Sequence, residues 1–518
     1  MKTLFLPDVH TNSPQVLRAD RLELVLSAGV RQYYRHGWQS WSLSAWTEPR
    51  PMPIQKPTLY HPLQIDANYA SERGPHGSWI GAVEIDPGKI VLAGSLDLDA
   101  HVFLNGDRLT CINEHGEGDW LIVLGTEDQV FRSYAEHLER QFVATSRKTS
   151  PRVWCSWYSL YASIDEEILA ATIDHLNGLP FDVIQVDDGW QESVGDWNPN
   201  AKFPSGMSNL ANRIRSSGRR AGLWLAPLIA CKSSDLFRRH PGWFLKDEHG
   251  KFVSAGFNWG EHVFALDTTL PVVQEWLAGL MRQVREWGFD YLKLDFLYGG
   301  ALEGERHEAM PRERAYRKCL ELLRQSMGEE AYFLTCGTPI LPALGVCDAM
   351  RIGPDVDQKW EKTRDARLLY NFTTPGTKNA IRTTLHRLWL KRLVDVDPDV
   401  VYFTDRGNDL TKHQKRLLQD LARICGFNAT SDMPQWLTEN DKGELKEFLL
   451  SNSVIKRTGR YSFQIDGREV DFTQELGLPA APKGSTAIWS EFLGWLGNQP
   501  SIMRWIKAQD DKEMARRR

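Results

Sequence analysis

The sequence predicts an α/β protein in which a (β/α)8 TIM barrel is flanked by an N-terminal β-sandwich domain and a small C-terminal β domain. Three observations carry this prediction. Residues 1–145 show short runs of alternating apolar and polar residues separated by turns, residues 151–430 alternate apolar strands with helical runs, and residues 431–518 return to short strands and turns. A chain of 518 residues, 42% hydrophobic and 25% charged, is long enough for one large barrel and two smaller units.

In the first unit, Arg21–Leu26, Trp79–Ile85 and Lys89–Leu96 read as half-buried strands, and Asp86–Pro87–Gly88–Lys89 as the hairpin turn between two of them. A helical run over 128–138 leads into the polar stretch Thr145–Pro151, which is the expected boundary. Beyond it, Val153–Trp157 is the first barrel strand, and Ser163 with Glu166 has the form of a capping box opening a helix that ends at Gly178. Val183–Asp188 is the second strand, Gly222–Pro227 the third, and Asp290–Asp295 the fourth. Two helices separate these strands: one near 207–217, stopped at Gly218, and one from Pro271 to Gly288, with Pro at its start and Gly at its end. Tyr332–Cys336 is the fifth strand, Asp348–Arg351 the sixth, the seventh is expected near Asn379–Arg382, and Asp399–Thr404 is the eighth. In the third unit, Gly459–Ile465 and Ala487–Leu493 read as strands.

Composition excludes several classes of function. A net charge of -5 offers no basic field for nucleic acid or an anionic membrane, and Arg516–Arg518 reads as a solvated terminus. Seven cysteines without a CxxC pair argue against a disulfide framework and a structural zinc site, and so for a reducing compartment. The apolar run after Met1 is too short for a signal peptide and no stretch is long enough to span a bilayer, so the expected location is cytoplasmic. Oligomeric state is not legible. The twenty tryptophans cluster beside polar residues and turns, at Trp38, Trp41, Trp46, Trp154, Trp157, Trp190 and Trp197, where indoles can stack on sugar faces as well as fill a core.

The fourth strand carries the most pointed signal. Lys293 and Asp295 sit two apart on one face of an apolar strand that breaks at Gly299–Gly300. A structural ion pair is the plain alternative, since buried acids need partners. The other strand ends decide between the two readings. Asp187 and Asp188 end strand two, Cys336 ends strand five, and Arg351 and Asp355 end or follow strand six, all on the rim where (β/α)8 enzymes place their active sites. Paired carboxylates, a Lys, an Arg and indoles are equipment for binding a sugar and cleaving a glycosidic bond. Neither metal nor cofactor is expected. In Asp395–Val396–Asp397–Pro398–Asp399, Val400 replaces the turn glycine of a calcium loop and Arg406 the bidentate Glu, so this run is assigned to a loop before strand eight. Asp187–Asp188 lacks a third ligand in its own segment.

These residues resemble glycoside hydrolase family 36, clan D, and within it the compact bacterial α-galactosidases. The motifs that carry the resemblance are Trp154–Tyr158, Val186–Trp190, Gly195–Trp197 with Lys202–Pro204, Gly222–Trp224, Tyr291–Phe296, Cys336–Gly337, Arg351–Asp355 and the N-terminal Trp38–Trp41. The resemblance implies a retaining, exo-acting α-galactosidase that takes terminal α-linked galactose from raffinose- or melibiose-type oligosaccharides. It implies Asp295 as nucleophile and Asp355 as general acid/base, with Asp357 two residues on as the contender for the acid role. It further implies Asp187 and Asp188 at the 4- and 6-hydroxyls, Lys293 and Arg351 at O3 and O2, Cys336 and Gly337 around O2, Trp157 and Trp224 as walls, and Trp41 as a sugar contact from the sandwich. A raffinose-synthase-type transglycosidase, an α-N-acetylgalactosaminidase and an inactive sugar-binding module are the alternatives.

Overall fold

A computed structural model describes the chain except residues 12, 27–28, 53–64, 144–147, 362–370, 479–483, 498, 500, 503, 506–507 and 510–518. Most of the expected boundary near Thr145 and the Arg516–Arg518 terminus therefore lie outside the described residues. The N-terminal region folds into two sheets. One has five strands in the order 2–5, 21–25, 108–113, 100–105 and 76–78, and the other six in the order 15–19, 118–125, 89–95, 80–86, 32–35 and 45–47. Alternation places the side chains: Leu22 and Leu24 are fully buried while Arg21 and Glu23 face outward and pair with each other. The hairpin at 86–89 forms as expected, Asp86 pairing with Lys89 and Gly88 taking a φ of 73°.

Helix Glu127–Phe142 joins the sandwich to the barrel. Thr126 N–H donates to the side-chain Oε1 of Gln129 at its start, and Tyr134 donates to Ser95 O from its buried face. The barrel strands are β1 (Val153–Cys155), β2 (Val183–Val186), β3 (Arg220–Leu225), β4 (Tyr291–Leu294), β5 (Tyr332–Thr335), β6 (Ala349–Arg351), β7 (Asp395–Asp397) and β8 (Ala429–Thr430). All are parallel, in the order β8-β1-β2-β3-β4-β5-β6-β7, and the segment after β7 makes an isolated parallel bridge to β8, from Val401 to Thr430. β2, β4 and β5 are buried along their whole length, as strands covered on both faces must be.

Four expectations for the barrel are corrected. Residues 379–382 lie in helix Thr377–His386, not in a strand; Arg382 is buried there because Asn379 Oδ1 and Leu476 O accept its protons. The seventh strand is Asp395–Asp397, which reads as a polar loop in sequence. Its carboxylates are absorbed by partners, Asp395 by Ser150 and Tyr332 and Asp397 by Arg351. The eighth strand is the two-residue Ala429–Thr430, too short to give a periodic signal, and of the expected 399–404 strand only Val401 bridges to it. Asp165, not Ser163, caps helix Glu166–His175, accepting from Ile168 N at 2.7 Å, while Glu166 accepts from Ser205 N.

The helix stops at Gly218 and Gly288 and the Pro271 start stand as expected, Gly288 being left-handed with a φ of 98°. After the barrel come helix Glu439–Leu450 and an antiparallel sheet of Ile455–Arg457, Ser462–Ile465 and Arg468–Asp471. The expected strand at 487–493 is instead part of helix Ser485–Gly497; a short apolar run does not distinguish the two by periodicity. No helix among the described residues is long and apolar enough to cross a membrane.

Candidate active site

The carboxyl ends of the strands converge as barrel geometry requires. At the end of β4, Asp295 is 7% exposed. Its Oδ2 accepts from Trp224 Nε1 at 3.0 Å, its Oδ1 from Phe296 N at 2.8 Å, and Lys293 Nζ stands 4.0 Å away. The chain turns sharply just after it, with Phe296 in the left-handed region at a φ of 53°, which holds that N–H on the carboxylate. Trp224 comes from β3 and is fixed in turn, its carbonyl accepting from Trp190 Nε1 at 3.0 Å.

At the end of β2, Asp187 Oδ2 accepts from Lys293 Nζ at 3.0 Å and from Gln185 Nε2 at 2.6 Å. Burial pushes the Lys293 ammonium toward deprotonation, but the Asp187 and Asp295 carboxylates outweigh it and hold Lys293 well above the usual lysine range. Asp188 Oδ1 accepts from Gln191 Nε2 at 2.6 Å and Oδ2 from Trp259 Nε1 at 2.8 Å. Burial raises the Asp188 carboxyl, and those two donors partly offset it.

Around β6 and β7, Arg351 Nη1 lies 3.1 Å from Asp355 Oδ1 and 2.8 Å from Asp399 Oδ2, and its Nε donates to Asp397 Oδ2 at 2.8 Å. Asp355 is the most open of these acids, its side chain 32% exposed at the barrel mouth. Its carboxyl is pushed up to about 7, first by desolvation; Arg351 and Lys293 pull it down, and Asp399 and Asp295 push it up. Asp357, the contender, accepts from Lys359 N at 3.0 Å through its Oδ1.

The sandwich completes the mouth. Gln39 bridges to Pro339, Ser40 N donates to Thr338 O at 3.0 Å, and fully buried Arg387 donates to the carbonyls of Gly37, Gln39, Ser40 and Ile352. This places Trp41 edge-on to Phe296 and Tyr298, with ring centroids 5.3 and 5.9 Å apart, and leaves its indole Nε1 without a partner among the described residues. A Cβ on Gly337 would lie 3.0 Å from Trp41 Cη2, and Gly337 has a φ of 57°, so glycine fits there for both space and backbone. Cys336 beside it is wholly buried, and burial pushes its thiol up. Trp157 follows β1, half-buried and edge-on to Tyr161 at 5.1 Å.

Three participants escape the sequence reading. Trp259 reaches Asp188 from a hairpin of the small sheet 229–231, 254–258 and 261–265; its signal is the Asn258–Trp259–Gly260 turn, with Trp259 at a φ of 51°. Asp397 and Asp399 belong to the run set aside as a loop. Among the described residues no group of three or more His, Cys, Asp or Glu is arranged to hold a metal ion.

A (β/α)8 barrel whose rim sets a donor-held carboxylate opposite a raised, partly open one, among indoles and paired cations, has the build of a glycoside hydrolase. Comparison with known proteins narrows this class. Residues 124–325 match the Melibiase family. The α-galactosidase TtGalA of Thermus thermophilus, solved with p-nitrophenyl α-D-galactopyranoside, is 42% identical over 90% of this chain and 97% of its own, with a TM-score of 0.84. The α-galactosidase of Escherichia coli is 24% identical over 248 residues, which are 43% of this chain and 33% of that protein. The GH36 α-galactosidase AgaA of Geobacillus stearothermophilus shares the fold at 14% identity, covering 83% of this chain and 61% of its own with a TM-score of 0.58. The first curated relatives are matched over only 22–33% of their length. The chain belongs to the α-galactosidases of glycoside hydrolase family 36.

Proposed function

We propose that the protein is a retaining, exo-acting α-galactosidase that hydrolyses terminal α-linked galactose from raffinose- or melibiose-type oligosaccharides. The observation that carries this reading is the contrast between two carboxylates on one rim. Asp295 is held by two N–H donors beside an ammonium, whereas Asp355 is raised to about 7 and open to the mouth. In support, TtGalA has been solved with p-nitrophenyl α-D-galactopyranoside and with stachyose.

In the first step an Asp295 oxygen attacks the anomeric carbon from the face opposite the leaving group. The glycosidic C–O bond breaks as Asp355 delivers its proton to the departing oxygen. The product is a β-linked galactosyl ester of Asp295. Esterification removes the Asp295 charge that helped Asp355 keep its proton, so Asp355 is now suited to take one from water. The hydroxide equivalent attacks the anomeric carbon, the ester bond breaks, and galactose leaves with its α configuration restored. The two acids titrate as a coupled pair.

Asp187 and Asp188 are assigned to the 4- and 6-hydroxyls, Lys293 and Arg351 to O3 and O2, Trp157 and Trp224 to the walls, and Cys336 and Gly337 to the space around O2. Trp41, packed onto Gly337 with an unspent N–H, is assigned a sugar hydroxyl. That packing narrows the O2 side and favours galactose over its 2-acetamido analogue. The free cysteines Cys111, Cys155, Cys231, Cys319, Cys336, Cys347 and Cys425 suit the reducing cytoplasm we assign to it. A panel of α-linked sugars followed by proton NMR tests the reading: galactose appears first as the α-anomer. Release of the β-anomer, or turnover of α-glucosides in preference, contradicts it.

A further inference from the structure

Arg351 poses a chemical problem. A guanidinium 3.1 Å from a carboxylate favours its ionised form, yet an acid catalyst must hold a proton near neutral pH. The structure supplies a counterweight. The Nη1 atom facing Asp355 also faces Asp399 Oδ2 at 2.8 Å, and Asp397 Oδ2 takes the same guanidinium's Nε at 2.8 Å. Both acids are 1% exposed, against 32% for the Asp355 side chain.

They are also built rigidly. Asp399 Oδ2 accepts from Tyr158 OH and, at 2.9 Å, from Val356 N, the residue after Asp355; its Oδ1 accepts from Val400 N at 2.8 Å. Asp399 N donates to Asp397 Oδ1 at 2.7 Å, and Asp399 holds a left-handed φ of 81°, a conformation a non-glycine residue keeps only where its surroundings fix it. The other cation of the site is committed elsewhere, Lys293 being bound to Asp187 at 3.0 Å.

We propose that Asp399, seconded by Asp397, keeps Asp355 able to carry its proton by taking up the positive charge of Arg351. These two acids are positioning residues; they touch Arg351 and the Asp355 loop, and the proposal rests on Asp355 being the acid/base. The charged and titratable groups facing Asp355 are Arg351, Asp399, Lys293, Asp295, Tyr158 and Cys336. Of these, Asp399 is the anion that shares a nitrogen with it.

The test is the pH dependence of kcat/KM on raffinose for the wild type, Asp399→Asn, Asp397→Asn and Asp355→Ala. Removing the Asp399 charge leaves Arg351 to act undiluted, so the alkaline limb moves down by about one pH unit or more, and Asp397→Asn moves it the same way by less. On a dinitrophenyl α-galactoside, whose leaving group needs no proton, galactosylation loses far less at the same pH. A purely structural role lowers kcat at every pH and leaves the limb in place; a folded Asp399→Asn enzyme with an unmoved limb overturns the proposal. If that variant does not fold, Asp397→Asn, which keeps the Tyr158 and Val356 bonds, decides by the same criterion. A limb that persists in Asp355→Ala removes the acid role itself, and the proposal with it.

Discussion

At the scale of single residues, the proposed chemistry rests on two aspartates in unlike surroundings. Asp355, raised to about 7, is protonated below that pH and loses its proton above it, so kcat/KM on raffinose is expected to fall as pH rises through about 7. A pH–rate profile checks this, and a flat profile to pH 9 contradicts it. Asp355→Ala is expected to cost on the order of 10²–10⁴-fold on raffinose and much less on a dinitrophenyl galactoside. Equal losses on the two substrates move the acid role away from Asp355, and Asp357→Ala is then the variant to measure. The sequence placed Asp295, Asp355, Asp187, Asp188, Lys293 and Arg351 on one rim because each sits at or just after a strand end, where spacing is legible. It did not reveal that Lys293 binds Asp187 more closely than Asp295, at 3.0 Å against 4.0 Å, since side-chain reach across neighbouring strands is not written in either strand alone.

At the scale of elements, long buried strands and helices with glycine or proline at their ends were readable, and short polar ones were not. β4 is a continuous apolar run, so it announces itself. β7 carries two acids in three residues; its ladder with β6 makes it a strand, and Ser150, Tyr332 and Arg351 take up its carboxylates. The Trp259 hairpin was missed for a related reason: its function depends on where the excursion after β3 folds back. Trp259→Phe keeps the ring but removes the N–H donated to Asp188 at 2.8 Å. The loss of a hydrogen bond to a charged group is expected to cost about 1.5–3 kcal/mol, or about 10- to 150-fold in kcat/KM on p-nitrophenyl α-galactoside, while far-ultraviolet circular dichroism stays unchanged. A loss below twofold places the indole outside the binding path.

At the scale of the whole molecule, the sandwich packs on the barrel through aromatic contacts such as Trp41 on Phe296 and His36 on Trp389, with buried polar links beside them. Arg312 of the barrel makes a buried two-pronged pair with Asp66 at 2.9 and 2.7 Å, and Arg387 grips the Gly37–Ser40 carbonyls. His36, His76 and His101 in the sandwich and His386 in the barrel are buried, and burial holds all four below the ordinary histidine range, His386 at about 3. The unfolded chain binds their protons below about pH 6.5 while the folded chain does not, so the histidine contribution to stability falls as pH drops below that value, by up to about 1.4 kcal/mol per pH unit for each, while the raised Asp355 and Asp432 carboxyls contribute in the opposite sense. Imidazole proton NMR shifts are expected to show none of the four protonating near pH 6.5, and a ring that titrates there contradicts its burial as a neutral imidazole.

In the proposed mechanism Asp295 forms the bond to galactose. The most direct measurement is the product made by Asp295→Gly from an activated aryl α-galactoside in the presence of azide. Turnover without azide is expected to be lost, because the attacking carboxylate is gone and the cavity it leaves lies on the β face of the sugar. Azide entering that cavity restores turnover, and proton NMR is expected to show β-galactosyl azide. Full activity of Asp295→Gly without azide, or an α-galactosyl azide product, contradicts the claim.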